Sequence, residues 1–223
     1  MKTFNELFKE HKGERILKWS NYGDIYDKHF AKFRDQQINI LEIGVLKGGS
    51  MRIWEKYFPK ANIFVIDIDE ECLQYQSDRT KIFIGDQSDV SFLRNIKAKI
   101  PRVDILIDDG SHRAKDQKAT FEEMYYHVRK PGVYLIEDIE QNYWPSKDKD
   151  SPDNFMTHMK NKIDEMNIRR TMHGKISYSY PFKDNEVRFN NSTNSISFYE
   201  NVVVLEKLEM PKAREIRKNK WNK

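Results

Sequence analysis

A single cysteine, Cys72, in 223 residues leaves no partner for an internal disulfide and no cysteine-rich metal centre, so nothing points to an oxidising compartment. No apolar run approaches the roughly 20 residues of a membrane span. The opening Met1-Lys2-Thr3-Phe4-Asn5-Glu6 leads into polar residues rather than the apolar core of a secretion signal. These absences imply a soluble, intracellular chain, expected in the cytoplasm. No Pro/Gly/Ser-rich linker and no internal repeat divides it, so one domain over 1–210, opened by a helical segment, is the simplest organisation.

A sustained excess of one charge is also missing. The formal net charge is +4, from 39 basic and 35 acidic residues. Residues 211–223 hold six Lys/Arg and one Glu, and removing them leaves 33 basic against 34 acidic. The basic excess therefore belongs to a C-terminal tail, read as a solvated terminus, and the near-neutral body argues against a nucleic-acid partner. Salt-sensitive RNA binding by the tail is the alternative. Homo-oligomerisation is left open.

The periodicity alternates between helix and strand. Helices are expected near 2–12 and 23–36, at 50–57 with Ser50 as its cap, at 89–98 and at 115–129. Strands are expected at 38–43, 62–67, 81–86, 103–108 and from Gly132 to about 138, with 195–199 and 202–206 as a closing antiparallel hairpin. This order implies an α/β, Rossmann-like doubly wound and mainly parallel sheet. Residues 145–195 are polar and give no clear pattern.

Two acidic clusters close two of the apolar runs, Asp108-Asp109-Gly110-Ser111-His112 and Glu137-Asp138. Ligands of open α/β sheets sit beyond the carboxyl ends of the strands, so Asp109, Glu137 and Asp138 are expected to converge there. Three carboxylates suit Mg²⁺, and His112 is placed to take a proton from a hydroxyl bound beside them. Helix capping by these acids is the plainer alternative, and His112 could instead only orient a ligand. Asp108 is either a ligand-side acid or one that fixes the backbone.

The loop Glu42-Ile43-Gly44-Val45-Leu46-Lys47-Gly48-Gly49-Ser50 joins a strand to a helix. Its spacing is not G-x-G-x-x-G, and a carboxylate at Glu42 disfavours a pyrophosphate. Glu42 suits a cationic ligand, such as a sulfonium cofactor with an ammonium group. Gly44, Gly48 and Ser50 would let that ligand lie against the backbone, Asp67 would accept from ribose hydroxyls, and Asp86 and Gln87 would meet an adenine edge. Glycines in a plain tight turn are the competing explanation. Tyr143 and Trp144 either stack on an acceptor or anchor packing. Trp19, Tyr22 and Tyr26 could reach over the site, with core packing preferred.

Leu41-Glu42-Ile43-Gly44-Val45, Asp67-Ile68-Asp69, Gly85-Asp86-Gln87-Ser88-Asp89, Asp108-Asp109-Gly110-Ser111-His112 and Glu137-Asp138, in this order, resemble the class I S-adenosylmethionine-dependent methyltransferases. The resemblance is to their metal-dependent sugar O-methyltransferases of the mycinamicin and macrocin type, with relatives labelled cephalosporin hydroxylase, and covers about residues 20–207. It implies Asp109, Glu137 and Asp138 as Mg²⁺ ligands, His112 as base, S-adenosylmethionine as cofactor, and a deoxyhexose such as rhamnose in a glycan or glycoside as acceptor. Phenol or catechol methylation and non-catalytic binding of an adenosyl ligand are the alternatives. A two-His-one-carboxylate iron site is disfavoured by the single histidine in the motif.

Overall fold

The computed structural model describes residues 1–145, 149–167 and 188–210. Two helices open the chain, α1 (Phe4–Glu10) and α2 (Tyr22–Phe30). Thr3 and Glu6 exchange side-chain and backbone hydrogen bonds at the start of α1, a capping box that fixes its entry. There follow β1 (Asn39–Ile43), α3 (Gly49–Tyr57), β2 (Asn62–Asp67), β3 (Thr80–Ile84), α4 (Val90–Lys99), β4 (Val103–Asp108), α5 (Ala114–Met124), β5 (Val128–Ile136), α6 (Phe155–Asn167), β6 (Thr193–Tyr199) and β7 (Val202–Lys207).

The strands form one sheet in the order β3-β2-β1-β4-β5-β7-β6. β1 to β5 run parallel, and β7 lies antiparallel to both β5 and β6. The doubly wound fold with a closing hairpin is therefore as expected. Chain order reverses between β1 and β4, so the loops after these two strands open the crevice in which such sheets bind ligands.

Strand alternation sorts the core into two layers. Ile40, Ile105, Ile107, Val133, Leu135 and Val204 face α1, α2 and α3. Leu41, Ile43, Leu106, Tyr134, Ile136 and Val203 face α4, α5 and α6. The first layer is aromatic at its centre. Trp54 lies with its ring centroid 5.0 Å from Phe4 and 5.1 Å from Tyr26, and its Nε1 donates to Glu42 at 3.0 Å.

Several boundaries differ from expectation. Ser50 does not cap α3: Gly48, at φ 81°, occupies that position without a side-chain bond, and the Ser50 hydroxyl donates to Glu42 instead. α5 stops at Met124, because Tyr125–His127 tighten into a 3-10 turn. β5 starts at Val128 rather than Gly132. Val128 already pairs with Val103, but the ladder is irregular before Ile105 and passes Pro131, which has no N–H to contribute, so the sequence reads as interrupted there. α6 arises in the polar stretch that gave no pattern, where Phe155, Met156 and Met159 supply a narrow buried face. The basic tail, 211–223, lies outside the described residues, in which no helix is long and apolar enough to cross a membrane.

Trp54→Ala is expected to lower the unfolding free energy by about 3–5 kcal/mol, as for other buried aromatic truncations, since the fully buried ring leaves a void and a Glu42 oxygen loses its donor. Urea denaturation measures it; a loss below about 1 kcal/mol would mean that the aromatic layer recloses around the void.

Candidate functional site

The acidic clusters end adjacent strands, and strand parity decides where each side chain goes. β4 and β5 are paired with Asp108 beside Ile136, and the Glu137 amide donates to the Asp108 carbonyl at 2.9 Å. Asp109 and Glu137 thus continue the parity of Ile107 and Leu135, towards the aromatic layer and the N-terminal segment. Asp108 points the other way.

Between Asp109 and Glu137 sits the ammonium of Lys18, 2.5 Å from Asp109 Oδ2 and 2.7 Å from Glu137 Oε2. The second Glu137 oxygen accepts from the Tyr26 hydroxyl at 2.5 Å. Glu137 is fully buried and Lys18 nearly so. Burial pushes both carboxyls up, and Lys18 pulls them back. The two carboxylates in turn hold the ammonium charged against its own desolvation, which makes the cluster a buried ion triad.

Asp138 follows in the left-handed region, at φ 52°, and His112 does so at 59°. Such backbone is uncommon away from glycine and turns both side chains back over the cleft. Asp138 Oδ1 accepts from Tyr22 at 2.5 Å, Asn201 at 2.9 Å and Trp19 at 3.2 Å. Its Oδ2 faces His112 Nε2 at 3.7 Å. Single ligating atoms of Asp109, His112 and Asp138 lie within 4.8 Å of one another. These three are brought together at the surface of the cleft, while Glu137 sits behind them.

A cavity of about 520 Å³ opens beside this cluster, lined by Gly44, Ser50, Asp67, Asp86, Gln87 and His112 among others. Gly44, at φ 83°, packs so closely that a Cβ there would lie 2.2 Å from the Asp109 carbonyl oxygen. Asp67 accepts from the amides of Val45 and Asp69, both at 2.9 Å, and Asp86 accepts from the Ser88 amide at 2.7 Å, which holds its carboxyl below the usual range. Gln87 spans the cavity floor: its amide donates to Asp108 at 3.0 Å and its carbonyl accepts from the Ser111 amide at 2.6 Å.

Six expected site residues stand apart from the cavity wall: Glu42, Gly48, Asp108, Glu137, Tyr143 and Trp144. Gly48 packs against the Tyr75 ring instead. Glu42 is buried beneath the cavity, accepting from Ser50 and Trp54, both at 3.0 Å, and burial pushes its carboxyl up to about 7. Asp108 is likewise buried and raised to about 7 by burial. Glu137 lies in the ion triad. Tyr143 and Trp144 are half exposed on the turn after β5 and line no part of the cavity. Tyr22 and Tyr26, for which packing was preferred, do both jobs: their rings are buried and their hydroxyls bond the site carboxylates. Lys18 was missed. Nothing in its local sequence marks it, since it lies outside any regular element.

The donor set fits a hard divalent cation. Asp109 and Asp138 offer oxygens beside an imidazole, and an ammonium already bridges two of the carboxylates. The cavity's carboxylates Asp67 and Asp86, at the ends of successive strands, fit an adenosyl ligand.

No family model matches the chain. It is 39% identical over 127 residues to mycinamicin VI 2''-O-methyltransferase of Micromonospora griseorubida, covering 54% of this chain and 32% of that protein. It is 34% identical over 138 residues to 8-demethyl-8-alpha-L-rhamnosyl tetracenomycin-C 2'-O-methyltransferase of Streptomyces olivaceus, covering 58% and 36%. The solved structure of the mycinamycin-pathway methyltransferase MycE in complex with Mg and SAH superposes with a TM-score of 0.76 at 29% identity, over 92% of this chain and 53% of MycE. The chain is thus similar in sequence to sugar O-methyltransferases over a little more than half of its length. It spans about a third of the length of the curated relatives it matches.

Two outcomes test the electrostatics. Glu42 has a folded pKa near 7 against an ordinary 4.5, so its contribution to stability is fully present below pH 4.5 and is lost as pH rises through 7. Glu42→Gln, which keeps an acceptor for Trp54, should match the parent near pH 4.5 and exceed it by about 3 kcal/mol above pH 8, at 1.36 kcal/mol per unit; parallel urea-stability profiles would show that Glu42 is ionised throughout. Lys18→Met should cost about 3–5 kcal/mol in EDTA, because it leaves two adjacent buried carboxylates uncompensated. Added Mg²⁺ should raise the melting temperature of the parent, and the absence of any Mg²⁺-dependent shift would refute the assignment of these oxygens to a cation site.

Proposed function

We propose that this chain is a methyltransferase domain that transfers the methyl group of S-adenosylmethionine to a sugar hydroxyl, with Mg²⁺ as the metal and a deoxyhexose such as rhamnose, in a glycan or glycoside, as acceptor. One observation carries the reading: Asp109, His112 and Asp138 converge beside the glycine-loop cavity, in a chain similar to the mycinamicin VI and rhamnosyl tetracenomycin-C O-methyltransferases.

A neutral sugar hydroxyl is a poor nucleophile at pH 7 and has to lose its proton as the new bond forms. Bound Mg²⁺ would supply Lewis acidity, lowering the pKa of a hydroxyl at the site. Asp109, Glu137 and Asp138 are its proposed ligands. Asp109 and Asp138 each present an oxygen not taken up by the donors described above; Glu137, behind them, has both oxygens engaged by Tyr26 and Lys18 and retains only its remaining lone pairs for a cation. His112 Nε2 faces this point and is the proposed base; Asp138 beside it stabilises the imidazolium that results. The bonds from Tyr22, Asn201 and Trp19 hold Asp138 in one orientation while the proton moves.

Gly44 and Ser50 line the cofactor side of the cleft, where Asp67, Asp86 and Gln87 are proposed to meet ribose and adenine, and Gly48, against the Tyr75 ring, turns the loop into α3. Glu42 and Asp108 support that floor from beneath it, Glu42 through Ser50 and Asp108 through Gln87. Tyr143 and Trp144, exposed after β5, are proposed to meet the acceptor's ring.

Mass spectrometry of a rhamnosyl glycoside incubated with S-adenosylmethionine tests the proposal. A single methyl addition is expected, abolished by EDTA and restored by Mg²⁺. His112→Ala should lower kcat by roughly 10²- to 10⁴-fold with cofactor affinity unchanged by calorimetry. A catechol methylated far faster than any sugar, or near-normal turnover by His112→Ala, would reject it.

A further inference from the structure

A second cavity, of about 450 Å³, lies at the opposite edge of the sheet. Arg102 precedes β4, Lys130 lies in the first half of β5, and Lys207 ends the antiparallel β7, so all three sit at the amino ends of the parallel strands. At about 3.3 Å per residue, the six residues of β4 put this edge some 20 Å from Asp109. Arg102, Tyr126, Lys130, Arg188 and Lys207 line the cavity, with the polar Asn191 beside them. Among the described residues, none of those lining it is acidic.

Four cations turned into one concavity repel one another, and the fold does little among the described residues to offset this. Lys207 is 1% exposed. Its ammonium donates to the Tyr125 carbonyl at 2.6 Å and lies over the Tyr125 ring at 4.0 Å, and no carboxylate reaches it among the described residues. Burial, then Arg102, Lys130 and Arg188, push it down to about 7. Arg188 stacks on Tyr126 at 3.8 Å, and Arg102 donates to the carbonyls of Tyr126 and Val128, both at 3.2 Å. The acids nearby are peripheral: Glu209 pairs with Lys130 at 2.8 Å but is largely exposed, and Glu165 is engaged by Lys162.

A buried ammonium without a counter-ion is replaced by an apolar side chain at little or no loss of stability. Beyond one bond to a carbonyl and its position over the Tyr125 and Tyr126 rings, Lys207 gives the fold nothing that a methionine could not. An anion in the cavity would give it a role. A singly charged carboxylate leaves most of the converging charge uncompensated; a doubly charged phosphoryl group has the oxygens and charge to meet several of these donors at once. The volume exceeds that of a bare phosphate and falls in the range of small-molecule sites, so there is room for the organic part of an ester.

We propose that the cavity framed by Arg102, Lys130, Arg188 and Lys207 is a second ligand site, separate from the methyl-transfer cleft, that binds the phosphoryl group of a small phosphorylated molecule.

Calorimetry at fixed ionic strength tests it on the full chain, with inorganic phosphate and glycerol 3-phosphate as probes and chloride as the control. Saturable binding with a millimolar or lower Kd is expected for at least one probe, tighter for the ester if the organic part is also held and equal for both if the site takes free phosphate. Lys207→Met and Arg188→Gln should each weaken it at least ten-fold and leave S-adenosylmethionine binding unaltered, and Lys207→Met should melt no lower than the parent. No saturable heat from either probe, or undiminished binding in both variants, would overturn the proposal. A large fall in melting temperature for Lys207→Met with phosphate binding intact would also overturn it, making Lys207 a structural cap. Should that variant fail to fold, Arg188→Gln decides alone.

Discussion

The contact on which this site depends is the ammonium of Lys18 lodged between Asp109 and Glu137. Two carboxylates on adjacent parallel strands, both directed to the same side of the sheet, would repel one another strongly in a dry interior. A cation between them turns that repulsion into a clamp. It also ties the segment between α1 and α2 to the ends of β4 and β5, and the Tyr22 and Tyr26 hydroxyls extend the same tie to Asp138 and Glu137. The N-terminal helices therefore do more than cover an apolar face: they carry the donors that fix the acidic cluster.

Strand parity explains why neighbouring acids have different roles. Asp108 and Asp109 are adjacent in sequence and on opposite faces of the sheet. Asp109 meets Lys18, whereas Asp108 turns towards Gln87 and Thr120 in the layer under α5 and is pushed up by burial. Glu42 is set apart in the same way. It lies one residue before the end of an apolar strand, but its parity is that of Ile40, so it points at Trp54 rather than into the cleft.

Much of this was legible in the sequence, for identifiable reasons. Apolar runs ending in Asp or Glu marked β1, β2, β4 and β5, and the helical stretches between them implied parallel neighbours, so Asp109 and Glu137 could be placed side by side before any coordinates. What failed was local. Ser50 has the chemistry of a helix cap, but Gly48 can adopt a positive φ that serine avoids, and this moved the cap two residues upstream. β5 was read four residues short because Pro131 interrupts its pattern while its first residue still pairs with β4. Lys18 was invisible because a lysine outside any regular element looks like a solvated charge; only its long-range partners, 91 and 119 residues away, distinguish it.

Charge balance links the triad to the proposed chemistry. Asp109, Glu137 and Asp138 together carry three negative charges when ionised, and Lys18 offsets one of them. The remainder is two, the charge of a divalent cation. A site with Lys18 in place can thus reach neutrality with one Mg²⁺; a second fixed cation at this point would weaken the metal, and without Lys18 Glu137 would be driven towards its protonated form by burial and by Asp109. The N-terminal lysine therefore sets the charge state in which the carboxylates can act as ligands, which is why a residue far away in sequence belongs to the same functional unit.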